Sequence, residues 1–171
     1  MADAKLLKLN FYAAKGWGVF PLQWMNDGVC SCGDAGCDSP GKHPLTSAGF
    51  YDATTDMAKV KAWHKQFPHA NWGLRTGASS GVGVVDIDPR HGGDATWEAL
   101  RTQHPEPIET VQVATGGGGT HYYFSLNGAG ALPCKLNLFP GIDLKSDLGY
   151  VLIPPSKTTN EYKIQNIPKG R

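Results

Sequence analysis

Asp86-Ile87-Asp88 closes an apolar, β-branched run, Gly81-Val82-Gly83-Val84-Val85, and Pro89 follows it. Side chains alternate along a strand, so Asp86 and Asp88 share one face while Val85 and Ile87 point to the other. Two carboxylates one strand repeat apart, roughly 6–7 Å along the backbone, can converge on a hard cation between them. Without a positive partner they repel, by up to about 4 kcal/mol if they close to ~4 Å at an effective dielectric of 20. The structural alternative is a strand end whose acids cap the turn or helix after Pro89.

Two further segments carry groups that complement such a pair. Gly116-Gly117-Gly118-Gly119 precedes Thr120-His121-Tyr122-Tyr123-Phe124. Glycines let other groups approach the backbone closely, and His121 at the start of the next strand can donate to a phosphate oxygen. The competing reading is a flexible hairpin loop followed by a structural histidine. Gly141-Ile142-Asp143-Leu144-Lys145 puts Asp143 and Lys145 on one strand face, an acid for metal beside a cation for phosphate, or else a surface ion pair.

A third constellation is of another kind. Cys30, Cys32, Cys37 and His43 fall within fourteen residues of a stretch, 27–45, too polar to form a core. Three thiolates and an imidazole make a closed tetrahedral zinc set, and such a loop needs a staple to be ordered. The alternative is three reduced surface thiols with His43 as a turn residue before Pro44. Cys134 stands alone and reads as a small buried side chain, or as a reserve ligand should His43 be free. Lys42 is within reach of a template phosphate or simply solvated.

The elements that must hold these residues are readable in outline. Lys5–Lys15 carries Leu6, Leu9 and Ala13 at helical spacing with Leu7 and Phe11 beside them, and Gly16 ends it. Val60, Trp63 and Phe67 predict a helix capped by Thr55 or Asp56 and ended before Pro68. Another helix is expected over 94–103. Strands are expected at Val19–Leu22, along Gly81–Asp88, and at Thr110–Ala114 and Thr120–Leu126 joined by the glycines. Ile142–Lys145 and Tyr150–Ile153 read as a pair around a Ser146–Gly149 turn. Tyr122 and Phe124 alternate like core residues. Strands interleaved with about three helices predict an α+β domain spanning 1–157, with the 27–45 loop inserted and 158–171 a tail or linker.

Composition narrows the class. The chain has 171 residues, with 16 Lys+Arg against 15 Asp+Glu, a formal charge of +1. No globally basic surface therefore announces nucleic acid, and any polyanion must be held by a local patch or by bound cations. No apolar run approaches a membrane span, and Lys5 and Lys8 interrupt any signal-like stretch. A cytoplasmic, reducing setting is expected, where clustered cysteines point to metal before disulfides.

Taken in order, KGWGVFPL, CSCG…C…PGKHP, NWGLRTGASSGVGVVDID, TGGGGTHYYF and GIDLKSDLGYVLIPPS resemble the bifunctional DNA primase/polymerase (prim-pol) domain. That domain belongs to the archaeo-eukaryotic primase superfamily and is found in phage and plasmid replication proteins. The likeness covers roughly residues 5–157. It implies a catalytic core with an RRM-like sheet, in which Asp86, Asp88 and Asp143 hold two divalent ions, Mg or Mn, and His121 contacts the incoming nucleotide's phosphates. It also implies single-stranded DNA and nucleoside triphosphates as partners, with a fused or separate helicase in many relatives. On charge grounds Lys145 and Arg75 are further cations for the triphosphate, with Arg75 otherwise an ordinary surface arginine. The zinc set leans on spacing more than on the resemblance.

Two other readings stay open on sequence grounds. A replication-initiator nickase would use a tyrosine nucleophile such as Tyr122 or Tyr123, although its usual histidine pair is missing. A non-catalytic zinc module for single-stranded nucleic acid would stack bases on Tyr122, Tyr123 and Phe124.

Overall fold

A computed structural model describes residues 3–168. Helices form where a polar cap precedes apolar residues at helical spacing. In α1 (Ala4–Ala14) the Asp3 carboxylate accepts from the N–H groups of Lys5 and Leu6, and Gly16 ends the helix at φ +79°. Leu9 and Tyr12 are its buried residues, while Leu7 and Phe11 remain exposed. In α2 (Met57–Gln66) Asp56, not Thr55, is the cap, and Val60 is the residue driven inward. The third helix, α3, spans Gly93–Gln103.

Eleven strands lie among the described residues: β1 (Val19–Leu22), β2 (Met25–Asn26), β3 (Val29–Cys30), β4 (Asn71–Arg75), β5 (Val82–Ile87), β6 (Val111–Ala114), β7 (Thr120–Ser125), β8 (Lys135–Phe139), β9 (Ile142–Lys145), β10 (Tyr150–Ile153) and β11 (Lys163–Asn166). They build a six-stranded sheet of order β11-β6-β7-β5-β9-β8, a three-stranded sheet β1-β4-β10 and the small β2-β3 hairpin. Every strand pairing is antiparallel. The result is an α+β architecture with three α-helices.

The three-stranded sheet and α1 supply most of the core: Leu9, Tyr12, Phe20, Leu22, Trp72, Leu74, Val151 and Ile153 are all nearly or wholly buried. They join Val84, Val113 and Tyr123 of the large sheet in one cluster. Helix α3 packs on β5 and β9, with the Trp97 ring 4.8 Å from that of Tyr122. One face of the large sheet is thus covered at one end only. Along β5 the opposite face, which carries Val84 and Asp86, is core at Val84 and becomes a cleft at Asp86.

Three expectations change here. Ile142–Lys145 and Tyr150–Ile153 are both strands but do not pair: β9 joins β5 in the large sheet, and β10 joins β4 in the small one. The turn between them is where the chain changes sheets, held by the Asp147 carboxylate, which accepts from the N–H groups of Ala78 and Leu132. Second, on β7 the buried residue is Tyr123, while Phe124 is 36% exposed. Its face is the one that α3 only partly covers. Third, part of the segment read as a tail enters the fold. Tyr162 is buried and β11 forms the sheet edge beside β6; residues 1–2 and 169–171 lie outside the described residues.

Candidate active site and metal centre

Strand register brings the chemistry together. Asp86 stands directly opposite His121 on β7 and opposite Asp143 on β9, and Val84 stands opposite Tyr123 and Lys145. Residues paired across antiparallel strands point to the same side. Asp86, His121, Asp143 and Lys145 therefore share one face. Asp88, just past the end of β5, lines a cavity of about 290 Å³ together with Asp86, Asp143 and His91.

Each aspartate has a basic side chain of the chain itself beside it. Asp88 takes a two-pronged contact from Arg90, with Nε to Oδ1 at 3.0 Å and Nη2 to Oδ2 at 2.8 Å, and His91 Nδ1 lies 3.0 Å from Oδ2. The Arg90 guanidinium holds the Asp88 carboxyl far below the usual carboxylate range. Asp88 also accepts from the Arg90 N–H, capping the 3-10 turn Pro89–His91, so the capping role weighed for this strand end is real and coexists with its place in the cavity. Asp143 accepts from Lys145 Nζ and from the Asn137 N–H, both at 2.8 Å. His121 Nε2 sits 3.5 Å from Asp86 Oδ1. Burial pushes the Asp86 carboxyl up, but the His121 contact and the charge of Lys145 outweigh it and hold it below its ordinary value.

The glycine run works sterically. A methyl group at Gly119 would collide with the Ile87 carbonyl oxygen, and one at Gly116 with Thr158 and Asn160. The loop can thus press against the end of β5, with Gly117 packed beside the Arg90 guanidinium. His121 emerges from this loop buried to all but 4%, its Nδ1 without a hydrogen-bond partner. That is a fixed imidazole rather than a residue on a floppy turn.

Arg75 is not brought to the acids. Its guanidinium lies 5.7 Å from the Phe50 ring centroid and 5.2 Å from that of Tyr51, a cation–π stack that the sequence did not signal. Lys42 makes the opposite journey. It lines a small cavity with Asp86, Asp88, Arg90 and His121, and a wider cleft of about 470 Å³ with Asp86, His121, Lys145, Phe50 and Tyr150. Both tyrosines considered as nucleophiles face elsewhere: Tyr122 accepts from Trp97 Nε1 on the α3 side, and Tyr123 is buried. A separate apolar cavity of about 390 Å³, lined by Phe11, Trp17, Val111 and Tyr123, holds none of these acids.

The cysteine loop forms the second centre. The Sγ atoms of Cys30, Cys32 and Cys37 and a ring nitrogen of His43 all lie within 4.8 Å of one another. A tetrahedral zinc site places its ligand atoms about 3.4–3.8 Å apart, so modest closure completes it. Among the described residues these are the donors that converge this closely, and the three aspartates do not form such a cluster. Burial pushes the Cys30 thiol up, yet N–H groups from Cys32 and Gly41, with Cys32 Sγ and His43, bring it down to about 6. Burial and the neighbouring thiols push Cys37 up to about 11. Cys134 lies apart from the set, its sulfur accepting from the Ser146 N–H.

A family model described as "Bifunctional DNA primase/polymerase, N-terminal" matches residues 9–169. The chain belongs to the Prim-Pol family. No curated protein matches it. Membership makes this Prim-Pol domain an enzyme of the nucleotidyltransferase type, one that binds DNA and nucleotides. Its match runs through β11, in keeping with that strand's place in the sheet. No helix among its described residues is long and apolar enough to cross a membrane.

Proposed function

We propose that this domain carries out template-dependent nucleotidyl transfer as a DNA primase/polymerase, with Asp86, Asp88 and Asp143 as the ligands of two divalent cations, magnesium or manganese. The observation that carries the reading is the register of β5, β7 and β9, which puts two acids and an imidazole in one row on one face. Carboxylate oxygens are the hard donors such ions prefer, and side-chain exposures of 27–28% leave all three reachable from solvent. When bound, the ions supply activation of the attacking 3′-hydroxyl and neutralisation of the triphosphate and its leaving group.

The chain's own residues do the rest. Phosphoryl transfer asks mostly for positioning and charge compensation. His121, locked by the glycine loop and Tyr162, presents Nε2 toward a phosphate oxygen. Lys145 and Arg90, occupied with carboxylates as described, are the cations free to turn to phosphate once those acids find another positive partner. The near-neutral chain fits a substrate whose charge is balanced locally, and predicts a salt-sensitive grip on single-stranded template. The order β6-β7-β5-β9, with α3 crossing between β5 and β6, supports an RRM-like core; a strand, β8, stands where the second helix of that pattern would lie. Zinc is the proposed occupant of the Cys30/Cys32/Cys37/His43 set.

The test is incubation with single-stranded template, labelled nucleotides and Mg or Mn, with and without primer. Products whose composition follows the template are expected, falling about 10²–10³-fold or more in Asp86→Ala and Asp143→Ala. Unchanged synthesis by both variants refutes the assignment.

A further inference from the structure

Among the described residues Lys42 is the one cation bordering both cavities around Asp86 and His121 that has no carboxylate within ion-pair distance. Arg90 and Lys145, its neighbours in those cavities, are both paired. A half-buried lysine lining a cleft that also holds acids, with no acid paired to it, is suited to an anion that arrives from outside.

Its backbone is fixed on every side. The Asn71 side-chain amide donates to the Gly41 carbonyl at 2.8 Å, and the Tyr150 hydroxyl donates to the Lys42 carbonyl at 3.1 Å. The Lys42 N–H donates to Ser39, and the His43 carbonyl accepts from Gln23 N–H at 2.9 Å. Gly41 takes φ +69°, and a methyl group there would press on Met25 at 3.1 Å. The chain on one side of this clamp leads back to Cys30, Cys32 and Cys37, and the next residue is His43. Sulfur and imidazole meet here: Cys30 Sγ lies 3.4 Å from His43 Nε2 and accepts from the Gly41 N–H at 3.3 Å.

We propose that Lys42 binds the phosphates of the incoming nucleotide, and that the Cys3His centre is the device that aims it. This rests on the functional reading above and assigns the metal loop a job inside that site. A flexible lysine loses side-chain entropy on gripping a phosphate; a backbone held by β4, β10 and Gln23, and by the Cys3His loop once it is loaded, removes the further cost of ordering the loop. The Lys42 backbone is tied to the β1–β4–β10 sheet through Asn71 and Tyr150, whereas Lys145 belongs to β9 of the large sheet, so two lysines from different sheets line one cleft.

The experiment measures dissociation constants for a non-hydrolysable deoxynucleoside triphosphate with Mg, and separately for a single-stranded oligonucleotide, on the zinc-loaded protein. Lys42→Ala is expected to weaken the triphosphate roughly ten- to a hundredfold and leave the oligonucleotide within about twofold, with an unchanged melting temperature. Cys32→Ser is expected to weaken the triphosphate as well, and the double variant to be no worse than Lys42→Ala, because both act through one group. Zinc withdrawal from the unaltered protein, with Mg restored, gives the same comparison should Cys32→Ser fail to fold. Loss confined to the oligonucleotide makes Lys42 a template contact and overturns the proposal, as does no change in either constant. Additive losses overturn the aiming role of the metal loop. Absence of triphosphate binding by the unaltered protein overturns the functional reading itself, whereas normal binding that Lys42→Ala does not move overturns this inference alone.

Discussion

Replacing Asp143 by Asn separates the fold from the chemistry. Asp86 and Asp143 face each other across β5 and β9, which sets their Cβ atoms about 4.5–5.5 Å apart. At ~5 Å and an effective dielectric of 20 two carboxylates repel by about 3 kcal/mol. Both side chains are 28% exposed, so solvent and Lys145 reduce this to about 1 kcal/mol. Asp143→Asn removes that repulsion and weakens an ion pair with Lys145 worth about 0–1 kcal/mol. In buffer free of divalent ions the variant should therefore be as stable as the parent or more so, by up to about 1 kcal/mol, or about 2–4 °C in melting temperature at this size. Manganese should reverse the order. The parent gains about 2.7 kcal/mol at a hundred times the dissociation constant, and the variant gains little. Calorimetry in metal-depleted buffer, followed by a manganese titration, reads both effects without stripping zinc. A variant several degrees less stable than the parent without manganese, yet equally stabilised by it, would refute the shared cation site.

Other outcomes follow from the same geometry. Gly119→Ala drives a methyl group into the Ile87 carbonyl and should cost about 2–3 kcal/mol, read by denaturant unfolding; a neutral effect would show that the loop does not press on β5. Arg90→Ala should lower stability at pH 7 by under about 1 kcal/mol. Because the folded Asp88 carboxyl lies below its ordinary value, that contribution is complete above about pH 4 and fades as acid protonates it, so parent and variant curves should merge at low pH; a gap that widens there contradicts the pairing. Zinc loading at pH 7 should release protons, since Cys37 keeps its own up to about 11; calorimetry in buffers of different ionisation enthalpy would detect it, and identical heats would argue against thiolate ligation.

Local patterns were the legible part. The helix cap Asp56, the apolar run of β5 and the glycine-linked β6–β7 hairpin all follow from neighbours in sequence, and so does the common face of Asp86 and Asp88. Partner choice was not legible, because a two-residue alternation does not say which strand lies alongside. Ile142–Lys145 and Tyr150–Ile153 are close in the chain and were expected to pair, yet each meets a strand some sixty to eighty residues away. Asn71–Arg75 gave no strand signal, since Gly73 leaves out a side chain to make room for Phe20. Lys163–Asn166 is exposed throughout and carries little apolar pattern. Arg75 and Lys42 show the same limit for single residues: a motif places a cation near a site, and only tertiary packing decides whether it stacks on Phe50 and Tyr51 or turns to the acids.

The most direct measurement is anomalous scattering from crystals grown with manganese and a non-hydrolysable nucleoside triphosphate. The account predicts paired peaks about 3.5–4 Å apart ringed by the carboxylates of Asp86, Asp88 and Asp143, with the triphosphate against His121. A bound nucleotide whose manganese peaks lie away from these three residues would contradict it.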